Sequence, residues 1–143
     1  VSLENSKFFG FLKDLVDNFN YKLGVIDTLV LYVKPGIGMR TWAYTMLKRA
    51  KSQGARVSKV LQVPDILKEK SILDKSCDVL VLILPRYRLE ESVKFLEYLT
   101  YKRETEGKVT IILTTVPKVI INRESDDLAS KAGSAYDEGA KYE

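Results

Sequence analysis

The chain has 143 residues, 45% hydrophobic and 29% charged, with a formal net charge of +4. One cysteine (Cys77) and no histidine exclude an internal disulfide, histidine-ligated or cysteine-rich metal sites, and Ser-His or Cys-His nucleophile pairs. The length favours one domain with a real core. No apolar run approaches the ~20 residues of a membrane span, so no membrane partner is expected and a cytoplasmic setting is the default.

The charge is uneven. From Arg123 to Glu143 three basic residues face six acidic ones, a net of −3, which leaves +7 on residues 1–122. A basic body suits nucleic acid or another polyanion, although a solvated lysine-rich surface has the same composition.

In chain order, Ser6 to Phe19 has Phe8, Phe11, Leu12, Leu15, Val16 and Phe19 at helical spacing, with Ser6 as N-cap. A connector with Gly24 leads to Thr28-Leu-Val-Leu-Tyr-Val33, an apolar β-rich run that reads as a buried strand. Lys34-Pro-Gly-Ile-Gly-Met-Arg40 is a tight glycine loop. From Thr41 to Gln53 a helix places Trp42, Met46 and Ala50 on one face, and Gly54 ends it. Arg56 to Val63 is a second strand, closed by Pro64. A short helix is expected over Asp65 to Leu73. Asp78 to Leu84 is apolar on both faces, as a central parallel strand is. Pro85-Arg-Tyr-Arg88 is the loop after it, and Leu89 to Arg103 carries Leu89, Val93, Leu96 and Leu99 at helical spacing. Val109 to Thr114 is a further buried strand, and Lys118 to Ile121 reads as a short final one. Residues 123–143 lack an apolar stripe and read as a mobile polar, acidic tail. Alternatively that tail orders on a partner through Leu128, Tyr136 and Tyr142.

The alternation predicts one α/β domain over residues 1–122, with three layers and a mostly parallel sheet of about five strands. Strand, glycine loop and helix together present backbone N–H groups to a phosphate. The candidate phosphate or nucleotide residues are Lys34, Gly36, Gly38, Arg40 and Thr41. The glycines equally serve a tight turn with nothing bound. Arg86, Tyr87 and Arg88 sit at the carboxyl end of the central strand, where ligands of open α/β sheets bind. They are candidates for nucleic acid, with a base on Tyr87 and phosphates on the arginines. Lys48, Arg49 and Lys51 read as a solvated helix face, Trp42 and Tyr44 as packing residues, and Cys77 as a small buried hydrophobe.

The order strand, Lys34-Pro-Gly-Ile-Gly38, helix, Gly54, strand resembles the core of the RecA/RadA/KaiC group of P-loop ATPases, over roughly residues 8–122. The resemblance implies a reduced RecA-like core, with Asp78-Val-Leu-Val-Leu-Ile-Leu84 in the place of the Mg²⁺-binding strand and Gly107 to Thr115 in the place of the next. It also shows departures. Val33 stands for the motif's first glycine, Met39 for its lysine and Arg40 for its hydroxyl. A shifted reading lets Arg40-Thr41 stand for Lys-Ser/Thr, with Met39 inserted. The central strand ends Leu82-Ile-Leu-Pro85 without the family's carboxylate, and Asp78 lies at its other end. The resemblance therefore implies a catalytically degenerate, RadA-like paralogue with no catalytic residue and no metal. It would bind ATP or ADP if any cofactor, and pair with a related ATPase, itself or nucleic acid in recombination or repair. The alternatives are an active ATPase, for which Glu90 or Glu91 would supply the carboxylate, and a scaffold that binds neither nucleotide nor nucleic acid.

Overall fold

The computed structural model describes residues 10, 12–23, 27–36, 38–67 and 77–131. Residues 12–17 are helical (α1), followed by a single 3-10 turn at Tyr21–Leu23. Four strands follow: β1 (Thr28–Tyr32), β2 (Leu61–Gln62), β3 (Val79–Leu84) and β4 (Val109–Thr114). The longer helices are α2 (Met39–Ser52) and α3 (Leu89–Thr105), and the short ones are α4 (Lys118–Glu124) and α5 (Asp126–Ser130).

The sheet order is β1-β4-β3-β2 and every pairing is parallel. β3 and β4 are buried along their whole length because both faces are covered. Side chains alternate across a strand, so each strand feeds two cores. Leu29, Leu31, Val79, Val81, Ile83, Ile111 and Leu113 meet α1 and α2 through Leu12, Val16, Trp42, Met46 and Ala50. Val30, Leu80, Leu82, Leu84 and Ile112 meet α3, α4 and α5 through Val93, Leu96, Leu99, Ile121 and Leu128. This is the three-layer α/β fold that the alternation predicts.

Three elements differ from expectation. The sheet has four strands among the described residues, because Lys118 to Ile121 is the start of α4. Pro117 caps that helix in an extended conformation, and Ile121 turns into the second core. A run of three β-branched residues does not fix its own conformation; what it packs against does. The second strand is also short. Only Leu61 and Gln62 pair with β3, with an isolated bridge between Val57 and Val79. Ser58 and Lys59 interrupt the apolar run between them, and a 3-10 turn at Val63–Ile66 follows at Pro64. The remainder of the helix expected up to Leu73 lies outside the described residues.

The boundary expected at residue 122 falls inside α4. The Ser125 hydroxyl accepts the Leu128 N–H (3.0 Å) and caps α5, with Asp126 and Asp127 in its first turn. Leu128 is fully buried, so it is a core residue rather than an anchor for a partner. Lys131 then ties the end of α5 to Glu104 on α3 at 2.8 Å. Burial, the largest single influence, would raise the Glu104 carboxyl, but the Lys131 ammonium and the Thr28 side chain together outweigh it and hold the group below the usual glutamate value. Tyr136 and Tyr142 lie outside the described residues.

The amino edge of the sheet is closed by Arg103, which is fully buried. Its guanidinium donates to Thr110 Oγ1 (2.8 Å), the Cys77 carbonyl (3.1 Å) and the Val109 carbonyl (2.8 Å). One side chain thus fastens the last turn of α3 to the starts of β3 and β4. Cys77 is buried beside it.

Candidate nucleotide groove and carboxyl edge

In an all-parallel sheet the strands deliver their carboxyl ends to one side, where ligands bind. Here that edge gathers the loop after β1, Pro85 to Arg88 after β3, and the turn after β4. A buried threonine joins them. Thr114 Oγ1 donates to the Leu84 carbonyl (2.8 Å) and accepts the Val116 N–H (3.0 Å). Val33 N–H donates to the Thr114 carbonyl (2.9 Å), which extends the β1 pairing to the mouth of the glycine loop.

The glycine loop makes its turn through left-handed backbone. Gly36 has φ +82° and Gly38 φ +76°, conformations in which a side chain is strained. Gly38 is the N-cap of α2. It offers no side chain to the helix N–H groups, and the first turn of α2 holds no acid. The positive end of the helix dipole is therefore uncompensated at the loop.

That end opens onto a groove of about 510 Å³, within the size range of small-molecule sites. Gly36, Gly38, Thr41, Trp42 and Thr45 form one wall and Leu12, Lys13, Val16 and Asp17 of α1 the other. The lining is mainly apolar. α2 itself holds α1 in place. Trp42 Nε1 donates to the Leu12 carbonyl (3.0 Å), Arg49 to the Asp17 carbonyl (3.2 Å) and the Gln53 amide to the Phe19 carbonyl. Of these carbonyls, that of Asp17 belongs to the last turn of α1 and that of Phe19 lies just beyond it, where no intrahelical donor is left.

Of the five residues expected at a phosphate, the structure brings Gly36, Gly38 and Thr41 together at the groove. Arg40 is exposed one position away, and Lys34 is half-buried outside the lining. Met39, the inserted residue of the shifted motif, packs against the first core. Sequence reasoning missed Leu12, Val16 and Thr45 as groove residues and gave Trp42 to packing alone. The available signal was the spacing of Leu12 with Val16 and of Trp42 with Thr45, each pair on one helical face. Tyr44 is a correction: its side chain points outward and the residue is 53% exposed, because it lies on the face of α2 away from the core.

Arg86 and Tyr87 are exposed at the carboxyl edge, and neither lines the groove. Arg88 adopts φ +51° as the N-cap of α3, and its guanidinium is bonded to Glu91. That bond holds the Glu91 carboxyl below its usual value. Glu90 pairs with Lys94 (3.3 Å). Both candidates for the carboxylate of an active ATPase are thus paired on α3. Asp78 sits at the amino edge, where it accepts from Arg56. Among the described residues no cluster of acids, cysteines or histidines is placed to hold a metal, and no helix is long and apolar enough to cross a membrane.

No protein-family model and no curated protein matches the sequence. Solved structures do. Domain III of the Thermotoga maritima replication initiation protein DnaA aligns over 93% of this chain and 60% of its own, at 16% identity and a TM-score of 0.65. A replication initiator DnaA bound to AMPPCP and single-stranded DNA aligns over 92% of this chain and 44% of its own (18% identity, TM-score 0.60). A putative primosome component from Streptococcus pyogenes serotype M3 aligns over 92% of this chain and 75% of its own (16% identity, TM-score 0.60). The chain thus spans about half the length of the DnaA structures. These likenesses correct the expected branch: the fold is that of DnaA domain III rather than of RecA, RadA or KaiC, and neither recombination nor repair is supported. The residues behind the earlier resemblance form a strand, phosphate-type loop and helix, a unit that recurs among phosphate-binding α/β proteins. Such a unit identifies the fold type without its branch; two of these neighbours are DnaA structures and the third is described as a putative primosome component.

Proposed function

We propose that this chain is a replication-related, AAA+-like domain that binds a nucleoside di- or triphosphate in the groove between α1 and α2 and acts through binding rather than hydrolysis. The observation that carries the reading is the joining of two features at one place. An uncapped, acid-free helix N-terminus behind two left-handed glycines suits phosphates, and an apolar slot beside Trp42 suits a base. Thr41 supplies a hydroxyl at the groove, and Arg40 a cation within one residue of it. The engagement of Glu90 and Glu91 on α3 and the absence of an acid at the end of β3 support a binding role, since phosphoryl transfer needs a carboxylate-held metal. Arg86 and Tyr87 are proposed as contacts for nucleic acid at the same edge, beside Arg88, which Glu91 holds in place. The likeness to an initiator bound to AMPPCP and single-stranded DNA favours both ligands.

Calorimetric titration of ATP and ADP, with and without Mg²⁺, tests this directly. Trp42, the single tryptophan, reports occupancy by its fluorescence. Binding is expected in both nucleotides, with little Mg²⁺ dependence and without phosphate release. Arg40→Ala should weaken it about tenfold, the ~1.4 kcal/mol of one charge-assisted contact. Absence of heat and of any fluorescence change sinks the nucleotide reading and leaves a scaffold. Mg²⁺-dependent phosphate release would instead establish an active ATPase.

A further inference from the structure

α2 carries four cations and no acid: Arg40, Lys48, Arg49 and Lys51. Surface helices of this length ordinarily intersperse acids that neutralise their lysines at i and i+4. Arg49 is accounted for, because it lies about half a helical turn from Arg40 and bonds the Asp17 carbonyl of α1. The other three are exposed, with no hydrogen bond or ion pair among the described residues. With Tyr44 they recur at positions 40, 44, 48 and 51, a spacing that keeps them within a quarter-turn of one another on the exposed side of α2. The stripe is about 16 Å long at 1.5 Å per residue. Tyr44 stands in its middle, 53% exposed.

We infer that this face of α2 is a track for single-stranded nucleic acid, with Lys48 and Lys51 on successive phosphates and a base stacked on Tyr44. Three points select this occupant. The face is wholly cationic, so it complements a polyanion. An exposed aromatic ring between cations is the arrangement that stacks unpaired bases. A membrane surface is disfavoured because the apolar side of α2 (Trp42, Ala43, Met46, Leu47, Ala50) is already buried in the core, which leaves the helix nothing to insert. The track is separate from Arg86 to Arg88. Its nucleic-acid partner belongs to the reading proposed above, but the track needs no occupant in the groove.

The test is fluorescence anisotropy with a fluorescein-labelled oligothymidylate over a range of salt concentrations, alongside the nucleotide titration. Wild type should bind with an affinity that falls steeply with salt. Lys48→Ala with Lys51→Ala should reduce the slope of log K against log salt by about 1.4, since each single-strand phosphate contact contributes ~0.7. Tyr44→Ala should weaken binding roughly tenfold with the slope unchanged. All three positions are exposed and outside the groove, so nucleotide affinity and thermal unfolding should match wild type. That result also separates failure of the track from failure of the nucleotide reading. Several outcomes overturn the inference. They are no oligonucleotide binding at low salt, a wild-type slope in the double lysine variant, and equal binding of a duplex with no effect of Tyr44→Ala. Lysine-dependent binding to phosphatidylserine vesicles in place of the oligonucleotide overturns it too.

Discussion

The two edges of the sheet use their charges in opposite ways. At the amino edge Arg103 is fully buried and bonded to three oxygens, and Asp78 is held by Arg56. Cations there are spent inside the molecule. At the carboxyl edge and along α2, Arg86, Arg40, Lys48 and Lys51 are exposed without partners among the described residues. The internal bonds at that edge come from a neutral hydroxyl, Thr114, and from one ion pair on α3, Arg88 with Glu91. A buried cation must be satisfied by the protein that buries it, whereas an exposed one remains solvated and available to a ligand. The difference marks Arg103 as a structural cation and Arg86 as a solvated one.

The sharpest way to break the comparison is to delete one arginine from each edge. Arg103→Ala strands the Thr110 hydroxyl and two carbonyls and leaves a cavity, so it should cost on the order of 4 kcal/mol in urea unfolding. Arg86→Ala should change stability by no more than about 0.5 kcal/mol. Comparable losses from both would show that the carboxyl edge is structural as well. A smaller effect is expected from Thr114→Val, which keeps shape but orphans the Leu84 carbonyl and the Val116 N–H. It should destabilise by about 1–3 kcal/mol, and a value near zero would mean that the loops at that edge do not depend on the hydroxyl.

Both edges differ in how far they could be read from sequence. β1, β3 and β4 were legible because a strand buried on both faces is a continuous apolar run, as in Val79 to Leu84. α2 and α3 were legible from their period. The glycine loop was legible as a turn, and Gly36, Gly38 and Thr41 do meet at one groove. The groove itself was not, because its second wall comes from α1, and docking of α1 depends on Trp42, Arg49 and Gln53 finding carbonyls some 30 residues away. The likeness to DnaA domain III was illegible for a related reason: the motif that suggested RecA is local, and the likeness is one of fold that runs over the whole chain. Lys118 to Ile121 was misread because its β-branched residues serve a helix that the second core recruits. Buried Arg103 carried no signal, since an arginine in the last turn of a helix is ordinarily a solvated complement to the dipole.

The mildest contrast is one of pH. The Asp78 carboxyl accepts from the Arg56 side chain and from the Arg56 backbone N–H, and these bonds hold it below the usual aspartate value. A carboxylate whose folded value is depressed adds stability that is fully present above its unfolded value, near pH 4, and that is lost as the pH falls through the lower folded value. Melting temperature measured from neutral pH downward should therefore decline below about pH 4, and Asp78→Asn should lose part of that decline. Arg56 is exposed and Asp78 partly so, so added salt should shrink the difference between the two proteins. Arg56→Ala should mimic Asp78→Asn, because each breaks the side-chain ion pair and leaves the bond from the residue 56 N–H to a side-chain oxygen at residue 78 available, and the double variant should be no worse than either single one. Additive losses would show that Arg56 and Asp78 contribute through separate contacts, and that the amino edge relies on Arg103 alone.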